Sequence, residues 1–454
     1  MNTTRTRMLL ASVLCAALVL VARAEAPHVY AITGARLVTA VGAPIDAGTI
    51  IVRNGLIEAV GVAVAAPADA LIIDGKGLTV YPGLIDMGTA AGLSIPANDP
   101  PRDAKTLLEI ERIRRQTLLR PQLEAATCLR TDAPDLRRLA GAGITTVLAT
   151  PAGEMIKGRS SLINIVAPED APQIGNVADE RRGLYVVRTP VALHVSFPMR
   201  EGGGTYPASL MGAIAFVRQA FLDGGHYQLE TARSERLKKG ARPAFDASLD
   251  ALQPALSGKM PVAFQVGTAL EIRRALALAK EFKLDPIIAG AIGADQAVQD
   301  LKAQKARVLY SVNYPVRPRT LAPDADESIQ TLRERANAPK VPAALEKAGI
   351  LFAFESAGLN DPKDFVRNVA KAVKAGLSAD AAVKALTIGA ATIAGAADRL
   401  GSLEKGKIAN LLVTDGDLFD EKTKVRHVFV DGRLVAVDAE PPAASARRGR
   451  MGGM

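Results

Sequence analysis

Residues 262–289 read VAFQVGTALEIRRALALAKEFKLDPIIA, and the order of signals within them decides the fold class. Val262 to Val266 is an apolar run of strand length. Thr268 with Glu271 then forms a capping box, and Ile272, Ala275, Leu276 and Ala279 recur on one helical face. Pro286 to Ala289 opens a second apolar run. Strand, capped helix and strand in that order make a βα unit of a parallel sheet.

Working outward, the same texture continues on both sides. Strand candidates are Thr79 to Asp86, Ile144 to Thr150, Leu162 to Val166, Leu184 to Thr189, Ala192 to Phe197, Arg307 to Val312 and Ile350 to Glu355. Val366, Val369, Ala370 and Val373 make a second helical stripe, closed by Gly376. Together these runs suit an α/β barrel of about eight strands. Both ends of the chain differ from this middle. Thr49 to Arg53 and Leu56 to Val60 flank Asn54-Gly55, a strong hairpin signal. Ala409 to Thr414, Val425 to Val430 and Leu434 to Val437, with Asp431-Gly432 between the last two, repeat the pattern. Two β-rich ends therefore bracket the barrel.

The remaining composition narrows the class. The chain has 454 residues, 48% hydrophobic and 23% charged, which excludes disordered and collagen-like chains. Arg5 and Arg7 precede the uncharged, mostly apolar run Met8 to Ala22, the layout of a secretory signal cleaved after Ala24 or Ala26. Leu14 before Cys15 does not fit a lipoprotein site. Cleavage leaves Cys128 alone, so no intrachain disulfide forms. It also removes Arg5, Arg7 and Arg23, lowering the formal charge from +9 to +6, too small a surplus for nucleic acid. No membrane span is expected after processing. The chain divides into a signal peptide (1–24), a first β-rich part (27–80), a barrel (81–398), a second β-rich part (399–437) and a tail expected to be disordered (438–454).

Three segments resemble the amidohydrolase superfamily, and specifically its imidazolonepropionase-like branch. They are Gly34 to Asp86, which contains Tyr81-Pro-Gly-Leu-Ile-Asp86; Ala142-Gly-Ile-Thr-Thr-Val147; and Arg399 to Leu411, followed by Val430-Asp-Gly-Arg433. The resemblance implies a (β/α)8 TIM-like barrel with a small β-sandwich built from both chain ends. It also implies metal-dependent hydrolysis of non-peptide carbon–nitrogen bonds at the C-terminal ends of the barrel strands.

The family's metal ligands are not recognisable in this sequence. Its His-x-His pair would fall at Gly88 and Ala90, its strand-five histidine at Gln265, its strand-six histidine near Ala289 to Ala291, and its last-strand aspartate at Ala357. Glu355, two residues earlier, shares a strand face with that last position. A bridging lysine is absent from Leu162 to Val166, Leu184 to Thr189 and Ala192 to Phe197. Only four histidines exist, His28, His194, His226 and His427, and a two-metal centre draws heavily on imidazoles.

Glu355, His194 and Gln265 are the catalytic candidates, although His194 on a strand reads more simply as a buried, hydrogen-bonded residue. His226, after Gly224-Gly225, reads as an exposed loop residue. Lys157, Arg200, Arg317 and Arg319 are the ligand-binding candidates and favour an acidic ligand. The segments Gly153 to Gly158 and Glu201 to Thr205 read as flexible loops, because neither completes a phosphate-binding motif. Three functions remain open: a barrel that binds a small molecule, a subunit that pairs with itself or with an active relative, and an active hydrolase with an altered site. No cofactor is expected in the first two, and zinc in the third if its site is intact.

Overall fold

The computed structural model describes residues 29–96, 106–130, 134–166, 185–198, 206–237, 243–322 and 324–435. The segment read as a signal peptide (1–24), His28, Arg200, the stretch Glu201 to Thr205 and residues 438–454 lie outside the described residues.

The N-terminal β-rich part supplies β1 (Val29–Leu37), β2 (Ile45–Arg53), β3 (Leu56–Gly61), β4 (Leu71–Asp74) and β5 (Thr79–Pro82). Asn54 and Gly55 both take positive φ, 50° and 83°, as the tight β2–β3 hairpin requires. The strand read as Thr79 to Asp86 is in fact two. β5 ends at Pro82, and β6 (Leu84–Thr89) begins a different sheet. Gly83 sits at the break, where an added Cβ would lie 2.1 Å from the Thr145 hydroxyl, so the chain turns where only glycine fits.

The barrel-like unit follows with β7 (Ile144–Ala149), β8 (Ile156–Arg159), β9 (Ser161–Asn164), β10 (Val186–Arg188), β11 (Leu193–Ser196), β12 (Val262–Val266), β13 (Pro286–Gly290), β14 (Arg307–Ser311) and β15 (Phe352–Glu355). Six strands pair in the order β15-β14-β13-β12-β11-β8, and four in the order β10-β9-β7-β6. Strands β11 to β15 are parallel, and β8 joins β11 antiparallel. The sheets meet where the Ala357 amide donates to the Gly88 carbonyl at 3.2 Å. The helix Ala269–Glu281 carries the expected capping box and buries Ile272, Ala275, Leu276 and Ala279. Inside the strands, Ile85, Leu148, Leu162, Ala192, Ala263, Ile287, Leu309 and Ala353 share one apolar cluster.

Two expectations fail here. Ile156–Arg159 is a strand, not a flexible loop, because its backbone pairs with β11. His226 is exposed but lies within the helix Leu210–Leu237. Gly224 survives in that helix because its bare Cα faces Leu252 and Leu256, with room of only 2.8 Å for a Cβ.

The last strands are β16 (Leu411–Thr414), β17 (Val425–Val430) and β18 (Arg433–Val435). β16 pairs antiparallel with β5, so both chain ends enter one eight-stranded sheet, β18-β17-β16-β5-β1-β2-β3 with β4 on β1. This sheet curls until its two hairpin turns touch: a Cβ on Gly432 would lie 2.7 Å from Gly55 Cα. Tyr30, Ile32, Leu37, Ile50, Val52, Leu411, Val413 and Phe429 fill the space enclosed. Asn164 of β9 donates to Asp431 at 2.6 Å, and Asn410 donates to Asn164 and to Thr146 of β7. Those bonds fasten the curled sheet to the barrel-like unit.

Candidate functional site

The period of two along a strand places His194 in phase with Ala192, Gln265 with Ala263, and Glu355 with Ala353. All three alanines belong to the interior cluster, so the three polar side chains face inward toward the C-terminal strand ends. Gln265 Nε2 donates to Glu355 Oε1 at 3.3 Å. Burial pushes the Glu355 carboxyl up to about 8. The Asp86 charge adds to the rise, while Gln265, the Gly290 backbone and Lys157 oppose it. The acid is therefore largely protonated at neutral pH.

Asp86, from the Pro-Gly-Leu-Ile-Asp motif, is a site residue that the sequence reading passed over. It is fully buried, and its Oδ1 accepts from the amides of Ser356 at 2.8 Å and Gly88 at 3.1 Å. Oδ2 accepts from the Ser356 hydroxyl. Burial still raises its pKa to about 6 against those bonds. Asp86 thereby locks the start of β6 to the residue following β15.

His194 is 3% exposed. Burial, with a contribution from the Lys157 charge, pushes its pKa down to about 3, so the imidazole is neutral. Its Nε2 has no hydrogen-bond partner among the described residues, which corrects the expectation of a satisfied core histidine. Lys157 lies on β8, opposite β11. A lysine on a middle strand therefore does face the site. Ile156–Arg159 carries no strand pattern of its own, so the sequence gives no sign that Lys157 faces the site. Burial lowers the Lys157 pKa, while Glu355 and Glu154 act to raise it.

The arginine candidates do not join this group. Arg317 pairs with Glu327 at 2.8 Å and donates to the Ala322 and Ala325 carbonyls, so it braces its own loop. Arg319 is exposed in the same loop.

The family's metal positions can be examined one at a time. Ala90 and Ala357 carry only methyl groups, and the Ala289 to Ala291 stretch offers none of the usual donor side chains. At Gly88, an added Cβ would lie 2.6 Å from Glu355 Oε2, so the glutamate occupies the space a side chain there would need. Among the described residues no three His, Cys, Asp or Glu side chains gather as a metal-binding group. What remains is a neutral acid, an amide bonded to it, a carboxylate already held by backbone amides and the Ser356 hydroxyl, and the single imidazole of His194. That donor set does not fit a zinc pair, which needs several free imidazole or carboxylate ligands.

An amidohydrolase family profile matches residues 256–435. An amidohydrolase from Thermotoga maritima MSB8 superposes with a TM-score of 0.72 at 23% identity, covering 90% of this chain and 99% of that one. A second amidohydrolase gives 0.53 at 17% identity, covering 91% and 100%. Phenylurea hydrolase B gives 0.50 at 17% identity, covering 91% and 98%. No curated protein sequence matches. Those structures share the fold, and the profile match, which covers the strands that supply Gln265 and Glu355, supports the amidohydrolase superfamily for this chain.

Proposed function

We propose that this protein is an exported member of the superfamily that has lost the catalytic metal centre and binds a small ligand at the mouth of a closed (β/α)8 barrel. The observation that carries this reading is the packing of Glu355 against Gly88. A position where the family resemblance implies a metal ligand is filled instead by a protonated acid from the far strand. The buried, unpartnered Nε2 of His194 supports a binding role, since an orphaned buried polar atom costs about 1–3 kcal/mol unless something pairs with it. Export rests on Arg5, Arg7 and the Met8 to Ala22 run.

Glu355 also favours a second reading. An acid titrating near 8 suits general acid–base catalysis at neutral pH, and a metal-free hydrolase would use it so. Such catalysis contributes only about 10²- to 10⁴-fold, and the binding role stands first.

The test is metal retention together with turnover. Mature protein exposed to zinc and then desalted is expected to keep well under one equivalent, and a chelator is expected to leave its melting temperature unchanged. One or two retained metals per chain, with turnover of amide or cyclic amide substrates, would overturn the proposal. Turnover without metal would establish the second reading. Intact mass of the protein from its native host is expected to begin at Glu25 or Pro27, and full-length chain there would overturn export.

A further inference from the structure

We propose that the site takes a small organic monocarboxylate, its carboxylate paired with Lys157 and hydrogen-bonded at Nε2 of His194. This rests on the ligand-binding reading above and assigns the ligand its chemistry. Two adjacent polar side chains stand without partners. Lys157 makes no ion pair or hydrogen bond among the described residues, although it projects from a strand that pairs with the strand of His194. His194 is almost wholly buried and its Nε2 is unpartnered. Buried polar atoms in folded proteins nearly always find a partner, and here one missing group satisfies a cation and an imidazole together.

The charges around the pair decide the ligand class. The Lys157 ammonium, acted on by Glu355 and Glu154 but paired with neither, attracts an anion and repels a ligand amine. A neutral imidazole brings at most one N–H, so the two residues supply a single positive charge and few donors. A phosphate dianion is ordinarily held by more donors, often a forked arginine. Glu154 already acts on Lys157, and a dianion would meet twice the repulsion from it that a monoanion meets. One negative charge with two oxygens matches Lys157 and His194. Lys157, half-buried, is the more accessible of the pair, and His194 the deeper one.

The experiment titrates full-length mature protein with acetate, butyrate and benzoate, and in parallel with butyramide, n-butylamine and inorganic phosphate, at constant ionic strength and neutral pH. Melting temperature and the ring-nitrogen resonances of the histidines are the readouts. At least one carboxylate is expected to raise the melting temperature saturably and to shift the His194 ring, leaving the exposed His226 unmoved. Lys157→Met is expected to weaken that binding by about tenfold or more, and Lys157→Arg to retain most of it. Equal binding of butyramide, preference for n-butylamine or phosphate, no saturable carboxylate binding, or an unchanged affinity in Lys157→Met would each overturn the inference. Zinc retention in the desalting test would overturn the metal-free reading alone, so the two failures are distinguishable.

Discussion

Gly88 and Glu355 share one volume: a Cβ built on Gly88 would lie 2.6 Å from Oε2 and 3.1 Å from Cβ of Glu355, across the junction of β6 and β15. Each residue explains the other. A glycine on the first strand leaves room for a long acid on the last, and that acid leaves no room for a side chain on the first.

Gly88→Ala is therefore expected to destabilise by about 1–3 kcal/mol, the usual cost of overpacking a filled interior. In a Glu355→Ala background the same change is expected to cost close to nothing, because the opposing atoms are gone. Denaturant unfolding of the four proteins gives the coupling directly. Additive costs would show that the two side chains do not compete. Gly88→His, which a simple repair of the metal site would call for, is expected to destabilise more than Gly88→Ala and to bind no additional zinc.

The contribution of Glu355 to stability is expected to fall as pH rises from about 4.5 toward 8, while His194, held neutral down to about 3, contributes in the opposite direction below about 6.5. Glu355 has a folded pKa of about 8 against an ordinary 4.5 in the unfolded chain, so in that window the folded state holds a proton that the unfolded state has released. Its contribution is full below the unfolded value and is lost as pH climbs through the folded one. Asp86 adds a smaller loss of the same sign below about 6. Unfolding midpoints of wild type and Glu355→Gln across this range are expected to diverge, with the variant flatter. Parallel curves would remove Glu355 as the source.

Gly432 and Gly406 both hold positive φ, 69° and 86°, but a Cβ on Gly432 would strike Gly55 Cα while one on Gly406 meets nothing within 4 Å. Gly406→Ala is expected to cost about 1–2 kcal/mol from its left-handed conformation alone. Gly432→Ala is expected to cost clearly more, because it also forces the curled sheet open. Equal losses in thermal or denaturant unfolding would mean that the contact between the two turns contributes nothing.

A chain ending at Leu400 is expected to aggregate or to lose cooperative unfolding. It would leave the β5 edge unpaired and remove Leu403, Leu411, Val413 and Phe429 from the core of the curled sheet. A truncated protein that melts like the full chain would show that the two ends are independent.

What the sequence made legible was local. The strand, capping box and helical stripe of residues 262–289 appear as read, because every signal lies within a few residues of its partner. Both glycine hairpins do so for the same reason. β8 was hidden, since Ile-Lys-Gly-Arg carries no strand pattern of its own and is held extended by β11 through pairings such as His194 with Gly158. With β8 hidden, Lys157 was placed on a loop and its proximity to His194 and Glu355 was invisible. That Gly88, Ala90 and Gln265 carry no imidazole is plain from residue type alone. That Glu355 fills the space beside Gly88 depends on two strands 267 positions apart in numbering meeting at one junction, as Ser356 and Gly88 do at nearly the same separation.

The pairing of β5 with β16 sets a constraint in time. Thr414 of β16 lies directly opposite Thr79 of β5, 335 residues earlier in the chain. During synthesis from the N-terminus, β1 to β5 emerge early with the β5 edge exposed, and the strands that cover it are among the last to appear. The curled sheet therefore cannot complete its core on a partial chain, and closing so long a loop delays its assembly. A polypeptide with this connectivity stays unfinished until its end is released. That delay makes the final 25 or so described residues the step that commits the molecule to its native state.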